Sequence, residues 1–376
     1  MGSYNCKSLC GLDQSEVKFS QNFSPDKSPQ INNDSILIKD PKNFSQEFEK
    51  YISEIGEFIN EEEFQPPVSD RIKNHMENNP LEYPSQYQNK YDSSRKKIVK
   101  FNNGNIYDGT WNEKLKMDGY GKYYLKNGTV IVEGFWDNGI LVYGRVFLPD
   151  DNIYEGEIKD SKFNGKGKLF MNNGDCYEGQ FENDKFNGDG KLTMNNRDCY
   201  EGQFVDGKFK GKGKFNWSDG TQYIGDFKDS SLNGQGVLTD LKGEKYEGGF
   251  SNNYFNNKGK YTFNDNEYYD GDFKYGYING KGVYEVKDKY KFEGQWSDNL
   301  ANGHGTYSNQ DIKVTGIWRD GKLMEIKDST NKDIPKERIS FSVSNFNLCP
   351  QQLPNLHNNK NKENLFEAES TPSFLD

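Results

Sequence analysis

The amino-acid sequence predicts an all-β chain: an elongated, single-layer array of about ten antiparallel β-hairpins, with an N-terminal amphipathic helix and disordered ends. Three observations carry that prediction. A Tyr-led start recurs every 23 residues, at Tyr154, Tyr177, Tyr200, Tyr223, Tyr246 and Tyr269, with Phe292 in the next copy. Within each copy the apolar residues alternate with polar ones. Hydrophobic residues make up only 32% of the 376, yet aromatic residues make up 15%. A fixed period of this size signals a repeat architecture, and apolar material concentrated in rings suits a thin core of aromatics and glycines.

The unit starting at Tyr177 reads YEGQFENDKFNGDGKLTMNNRDC. Tyr177, Gly179 and Phe181 fall at i, i+2 and i+4 and so share one face of a strand. Gly188, Gly190 and Leu192 alternate in the same way on a second strand. The polar stretch between the two reads as a turn, which makes the pair a hairpin. The glycines share the ring face, and without a Cβ they leave room for a ring to lie on the backbone. A second turn ends each unit, at Asn173-Gly174, Asp219-Gly220 or Lys242-Gly243, where glycine supplies the positive φ of a tight turn. Arg197, Asn266 and Lys289 occupy that slot elsewhere; Asn tolerates it and the other two less well. Outward from the centre the pattern decays. Tyr107-Asp-Gly109-Thr-Trp111 and Val132-Glu-Gly134-Phe-Trp136 are weaker starts, Ile98 to Phe101 reads as a lone first strand, and Val314-Thr-Gly316-Ile-Trp318 opens a tenth copy that does not finish. Irregular ends fit a stack whose terminal repeats must cap it.

The order Y-x-G-x-[FW], then G-x-G-x-[LFY], then N-G or D-G resembles the MORN repeat family. The resemblance covers residues 98–323. Its lead ring, glycine and third apolar residue are matched at 154/156/158, 177/179/181, 200/202/204, 223/225/227, 246/248/250, 269/271/273 and 292/294/296. Departures are Ile158 for an aromatic, Asn257 for the first glycine of its pair, and a poor second half at Tyr143-Gly144. The resemblance implies a mostly non-catalytic chain whose hairpin array acts as a membrane-skeleton or ciliary scaffold, dimerises, or holds a partner peptide in a groove. Some members of the family have been proposed to bind phospholipid.

The flanks divide into residues 1–43, a polar N-terminus; 44–97, a helical and linker segment; and 324–376, a polar tail read as disordered. Gly2 follows the initiator Met, as N-myristoylation requires, although Cys6 stands where Ser or Thr is usual. One acyl chain binds membrane only marginally; Cys6 and Cys10 offer a second signal by palmitoylation. The bland alternative is a disordered terminus that begins Met-Gly. Phe44, Phe48, Tyr51, Ile52, Ile55, Phe58 and Ile59 recur at helical spacing, opposite glutamates that disfavour an anionic membrane. This helix either packs on the array or binds a partner. A shorter helix follows Ser69, before Pro80 and Pro84, and the alternating run from Ile339 to Phe346 is a candidate for docking.

The net charge of −10 argues against bulk attraction to nucleic acid or an anionic membrane. Five irregularly spaced cysteines fit a reducing compartment. With no secretory signal or spanning stretch, the chain is expected inside the cell: in the cytoplasm, at the cytoplasmic face of the plasma membrane or cortex, or in a cilium. The outward Glu155, Glu178, Glu201, Glu247, Asp270 and Glu293 neighbour Lys166, Lys168, Lys191, Lys212, Lys214, Lys260 and Lys281. They read as a cross-strand charge ladder, which cancels most of the field that would draw phosphoinositide headgroups and makes those weak ligands. Cys176 and Cys199 read as free thiols and His304 as a surface residue. No residue set has metal-ligand or P-loop spacing, and no cofactor is expected.

The expected function is a non-catalytic scaffold that recruits protein partners or self-associates. Tyr154, Tyr177, Tyr200, Tyr223, Tyr246 and Tyr269 are its expected partner-binding face, exposed unless the Phe44–Ile59 helix covers them. Alternatives are a ciliary or axonemal component, or a phospholipid-binding subunit of phosphatidylinositol phosphate kinase signalling. A catalytic domain within the chain is disfavoured, since only 53 polar residues follow Leu323.

Overall fold

The computed structural model describes residues 56–62, 64, 70–78, 80–81, 84–87, 95–126, 131–148, 151–330 and 340–343. They fall into two compact units that divide between Asn195 and Asn196. In the first unit the strands are β1 (Gly56–Phe58), β2 (Lys96–Phe101), β3 (Ile106–Trp111), β4 (Met117–Tyr124), β5 (Ile131–Asp137), β6 (Ile140–Phe147), β7 (Ile153–Lys159), β8 (Lys162–Phe170), β9 (Cys176–Glu182) and β10 (Lys185–Thr193). Each pairs antiparallel with the next in sequence. The helix α1 (Asp70–Asn78) and a 3-10 turn (Ser85–Tyr87) belong to the same unit. The second unit holds β11 (Cys199–Val205), β12 (Lys208–Asn216), β13 (Gln222–Lys228), β14 (Ser231–Thr239), β15 (Lys245–Ser251), β16 (Tyr254–Asn264), β17 (Glu267–Lys274), β18 (Tyr277–Val286), β19 (Tyr290–Ser297), β20 (Leu300–Asn309), β21 (Lys313–Arg319) and β22 (Lys322–Ser329). These too pair antiparallel in chain order.

The turn chemistry explains the hairpins. From β5 onward two residues join the strands inside each repeat, and both take positive φ: 50° and 68° at Asn183-Asp184, 48° and 79° at Asp206-Gly207, 48° and 71° at Asn252-Asn253. That pairing of angles is the type I′ turn, whose twist matches that of the strands it joins. Asn, Asp and Gly are the residues that enter this region most readily. Between repeats, Gly174, Gly220 and Gly243 take φ of 90°, 87° and 86°, as the sequence implied. Arg197 accepts the same strain at 72°, while at the Lys289 turn the left-handed residue is Asp288, at 61°.

The two glycines of each second strand turn out to do different jobs. Placing both under the ring is therefore corrected. Gly190 lies beneath its ring: a Cβ there would meet the Tyr177 hydroxyl oxygen at 2.4 Å. Gly188 sits in a β-bulge, since Asn187 pairs with Gln180 and Gly190 with Gly179, and its φ is 60°. Bulges of this kind want a left-handed residue. Asn257, the departure from the Gly-x-Gly pattern, takes φ of 63° and so fills the bulge role without a glycine.

Three boundaries differ from expectation. Gly56–Phe58 is a strand, not the end of a helix reaching Ile59; it pairs Phe58 with Val99 and Gly56 with Phe101. The Ile98–Phe101 strand is consequently neither first nor lone. Its free edge attracts β1, as unpaired strand edges do; the Ile59 amide donates to the Ile98 carbonyl at 3.1 Å, and residues 44–55 of the run lie outside the described residues. The tenth hairpin does finish, because β22 returns along β21 as far as Ser329. The helix expected after Ser69 is present as α1.

Candidate docking surfaces

The tyrosines form the centre of each repeat. Tyr200 is boxed on three sides. Phe209 stacks on it at 3.8 Å, while Phe204 and Phe227 meet it edge-on at 5.1 and 5.0 Å. Tyr246 has the same neighbours in Phe255, Phe250 and Phe273. Edge-to-face and offset contacts of this kind satisfy the ring quadrupoles. The phenol hydroxyls donate to the backbone carbonyl three residues on: Tyr154 to Glu157 at 2.7 Å, Tyr177 to Gln180 at 2.8 Å, Tyr246 to Gly249 at 2.8 Å. Burial pushes the phenols of Tyr154, Tyr177, Tyr223, Tyr246 and Tyr269 well above their ordinary range.

This overturns the expectation that the six tyrosines are exposed. Tyr154, Tyr177, Tyr200, Tyr223, Tyr246 and Tyr269 are each 0% exposed. Neighbouring rings and bare glycine backbone cover them, so no helix is needed to do so. A partner cannot touch these side chains while the repeats are folded. Gly2, Cys6 and Cys10 lie outside the described residues.

The docking that the structure does contain uses other residues. On the opposite face of the first hairpins, Tyr124, Phe147 and Ile153 form a buried cluster, joined by Ile106 and Phe170. Ile72 and Met76 of α1 pack against it, as does Phe64. Spaced four apart, Ile72 and Met76 share a helix face, with His75 beside them. The His75 ring meets Phe147 and Phe170 edge-on, both at 5.9 Å. From the 3-10 turn, Tyr87 stacks on Phe135 at 5.1 Å and leans on Tyr143 at 5.5 Å. Beneath this cover lies a buried rung of the charge ladder. Arg145 is 1% exposed, with its Nε 2.6 Å from Glu155 and a terminal nitrogen 3.6 Å from Glu133.

In the second unit a short extended segment is seated on the ring face of the last hairpins. Ser340 bridges to Lys322 and Ser342 to Leu300. Phe341 is 7% exposed and Val343 5%. This bears out docking for part of the Ile339–Phe346 run; the remainder of that run lies outside the described residues. Sequence signals mark the surfaces on which both segments dock. They are apolar residues at outward positions, Tyr124, Phe147 and Phe170, where later repeats carry Asn216, Thr239 and Thr262, and a small Ala301 where other repeats carry a ring or a larger aliphatic residue.

Elsewhere the outward face is the expected ladder. Glu155 stands opposite Lys168, Glu201 opposite Lys214, and Glu247 opposite Lys260. Lys168 and Glu178 approach to 3.5 Å, the lysine partly covered and the glutamate largely solvated. Cys176 and Cys199 are free thiols, and burial pushes the Cys176 thiol up. His304 is exposed. Among the described residues no helix is long and apolar enough to cross a membrane.

Comparison with known proteins matches the MORN repeat at residues 107–130, 154–176, 177–199, 200–222, 223–244, 246–268, 269–287 and 292–311. No curated protein matches the chain. Among solved structures, the TCP domain of Drosophila melanogaster SAS-4 (dCPAP), bound to a proline-rich motif of Ana2, is 14% identical. That match covers 44% of this chain and 92% of that one, with a TM-score of 0.27. The TCP10 domain of Danio rerio CPAP is 12% identical over 59% of this chain and 98% of that one, with a TM-score of 0.30. Scores this low carry no inference about function. Eight matched repeats from residue 107 to 311, laid over hairpins whose rings and glycines occupy the places described above, make this chain a member of the MORN repeat family.

Proposed function

We propose that the chain is a non-catalytic scaffold that recruits protein partners by laying segments of them along its repeats. One observation carries this reading. The repeats already hold a non-repeat segment, α1, on an outward face whose apolar residues serve no purpose within the hairpins themselves. Ile72 and Met76 pack there against Tyr124, Phe147 and Ile153. The inner chemistry of each repeat is consumed by its own packing, which leaves outward positions free to vary and to bind. Affinity capture with the full-length chain, followed by reconstitution from purified components, tests the reading. A stoichiometric complex with a defined protein is expected. Failure of every captured protein to rebind when purified, or turnover of a substrate by the purified chain, sinks it.

A second reading adds membrane tethering, supported by Gly2 with Cys6 and Cys10 close behind. Gly2→Ala then moves the protein from the membrane fraction to the soluble one. Unchanged fractionation removes acylation from the account.

A further inference from the structure

In the central repeats an apolar side chain from the start of the second strand lies against the lead ring. Phe163 stacks on Tyr154 at 3.6 Å, and Phe186, Phe209 and Phe255 stack on Tyr177, Tyr200 and Tyr246, each at 3.8 Å. The register places Leu232 and Ile278 at the same position, opposite Phe227 and Phe273. In the repeat led by Phe292, the residue in that position, opposite Trp296, is Ala301. A methyl group cannot cover a phenyl face. Phe341 covers it instead, its ring 5.1 Å from Phe292 and 16° from parallel. Tyr284 and Tyr290 meet the same ring edge-on at 5.4 and 5.6 Å, and Trp296 does so at 5.9 Å. The backbone is held as well. The Phe341 amide donates to Gly321 at 2.6 Å, the Ala301 amide to the Phe341 carbonyl at 3.3 Å, and the Val343 amide to Asn299 at 3.1 Å.

We propose that the socket left by Ala301 is a binding site for an aromatic side chain carried on an extended peptide, and that Phe341 is its resident competitor. The proposal rests on the scaffold reading and assigns it a specific site. The seated segment states the chemistry of the partner: an aromatic residue flanked by small polar ones, with an aliphatic residue two positions on. Ser340 and Ser342 point outward and are exposed, whereas Phe341 and Val343 are buried. Two isolated bridges hold the segment rather than a continuous strand pairing. Releasing it exposes two side chains but returns backbone freedom to four residues, opposing contributions of similar size. The contact is therefore exchangeable. Tethering holds Phe341 at an effective concentration of the order of 1 mM, so a free peptide competes poorly until the plug is removed.

The test uses the full-length chain and a fluorescein-labelled peptide of residues 336–347, followed by polarisation. Phe341→Ala should bind the peptide about tenfold more tightly than wild type. Adding Ala301→Phe, which supplies the missing ring from within the repeat, should abolish that gain. Equal binding by wild type and Phe341→Ala overturns the proposal, and so does undiminished binding by the double variant. Ala301→Phe alone covers the case in which Phe341→Ala fails to fold. It should evict the tail, seen as a rise in amide exchange across residues 340–343, and persistent protection there overturns the proposal. Concentration-dependent dimers of wild type that Phe341→Ala abolishes would show the ring seated in a second copy, and would equally overturn a resident plug. Each of these failures leaves reconstitution of a partner complex with the wild-type chain intact, so the two readings fall separately.

Discussion

The first hairpins and the later ones share an inner face and differ on the outer one. Inside, Tyr154 and Tyr246 have nearly the same ring partners at nearly the same distances. Outside, the first hairpins present Tyr124, Phe147, Ile153 and Phe170, where the later ones present Asn216, Gln222, Thr239, Lys245 and Thr262. The inner face has one solution because ring, glycine and bulge must fit together within a few tenths of an ångström. The outer face has many, and its apolar members mark where α1 lands. In a repeat protein, departures from the pattern are the places to look for what the repeat does.

The largest expected effect tests whether the inner face is the same in both units. Burial raises the phenol pKa of Tyr154 and Tyr177 in one unit and of Tyr223, Tyr246 and Tyr269 in the other above the ordinary 10.0. The unfolded phenols ionise first, so their contribution is present in full below about pH 10 and is lost as the pH rises from there through the folded-state values. Chemical denaturation followed from pH 8 to 12 should show stability falling only above about pH 10, in both units together. A flat profile would contradict burial of the rings. Next comes the buried rung of the ladder. Arg145→Ala removes a buried cation from between Glu133 and Glu155 beneath α1; Lys122, 3.4 Å from Glu133, and Lys168, opposite Glu155, offset part of the loss, so the change should cost about 3 kcal/mol, read as a lowered denaturation midpoint.

The glycine pair sharpens the distinction between ring and bulge. Gly190→Ala should cost about 3 kcal/mol, because the new methyl collides with the Tyr177 hydroxyl. Gly188→Asn should cost less, about 1 kcal/mol, since Asn257 already holds that conformation and only the flexible end of Gln180 must turn aside. Equal costs would mean the two positions are not distinct. On the outer face, Met76→Asp should free α1 at a cost of about 2 kcal/mol, seen as faster amide exchange over residues 70–78 with the strands still protected. The smallest effect is Lys258→Ala. Its ion pair with Asp272, at 2.8 Å, is solvated, with the lysine side chain 73% exposed, so the change should fall within about 0.5 kcal/mol. A loss comparable to that of Arg145→Ala would show that burial does not separate the two rungs.

Much of this was legible in the chain as written, because the rules involved act over a few residues. Alternation at Tyr177, Gly179 and Phe181 identifies a strand face, Asn173-Gly174 identifies a turn, and the 23-residue period tells how often to repeat them. The free thiols, the outward ladder and the helix after Ser69 follow from equally local reasoning. The docking surfaces were less legible. Assigning Tyr200 to a binding face required knowing that Phe227, from the next repeat, would close over it. Extending the first helix through Gly56–Phe58 overlooked a strand edge at Val99 and Phe101 that was waiting for a partner.

The sequence by itself determined the repeat, the hairpin and the thin ring-and-glycine core, since period, parity and turn angles are properties of neighbouring residues. Only the tertiary structure decided which rings are sealed, that α1 covers the apolar outward residues of the first hairpins, and that Phe341 fills the place Ala301 leaves over Phe292. Those outcomes depend on segments far apart in sequence competing for the same few square ångströms of apolar surface. Packing settles such a competition, and local pattern does not record it.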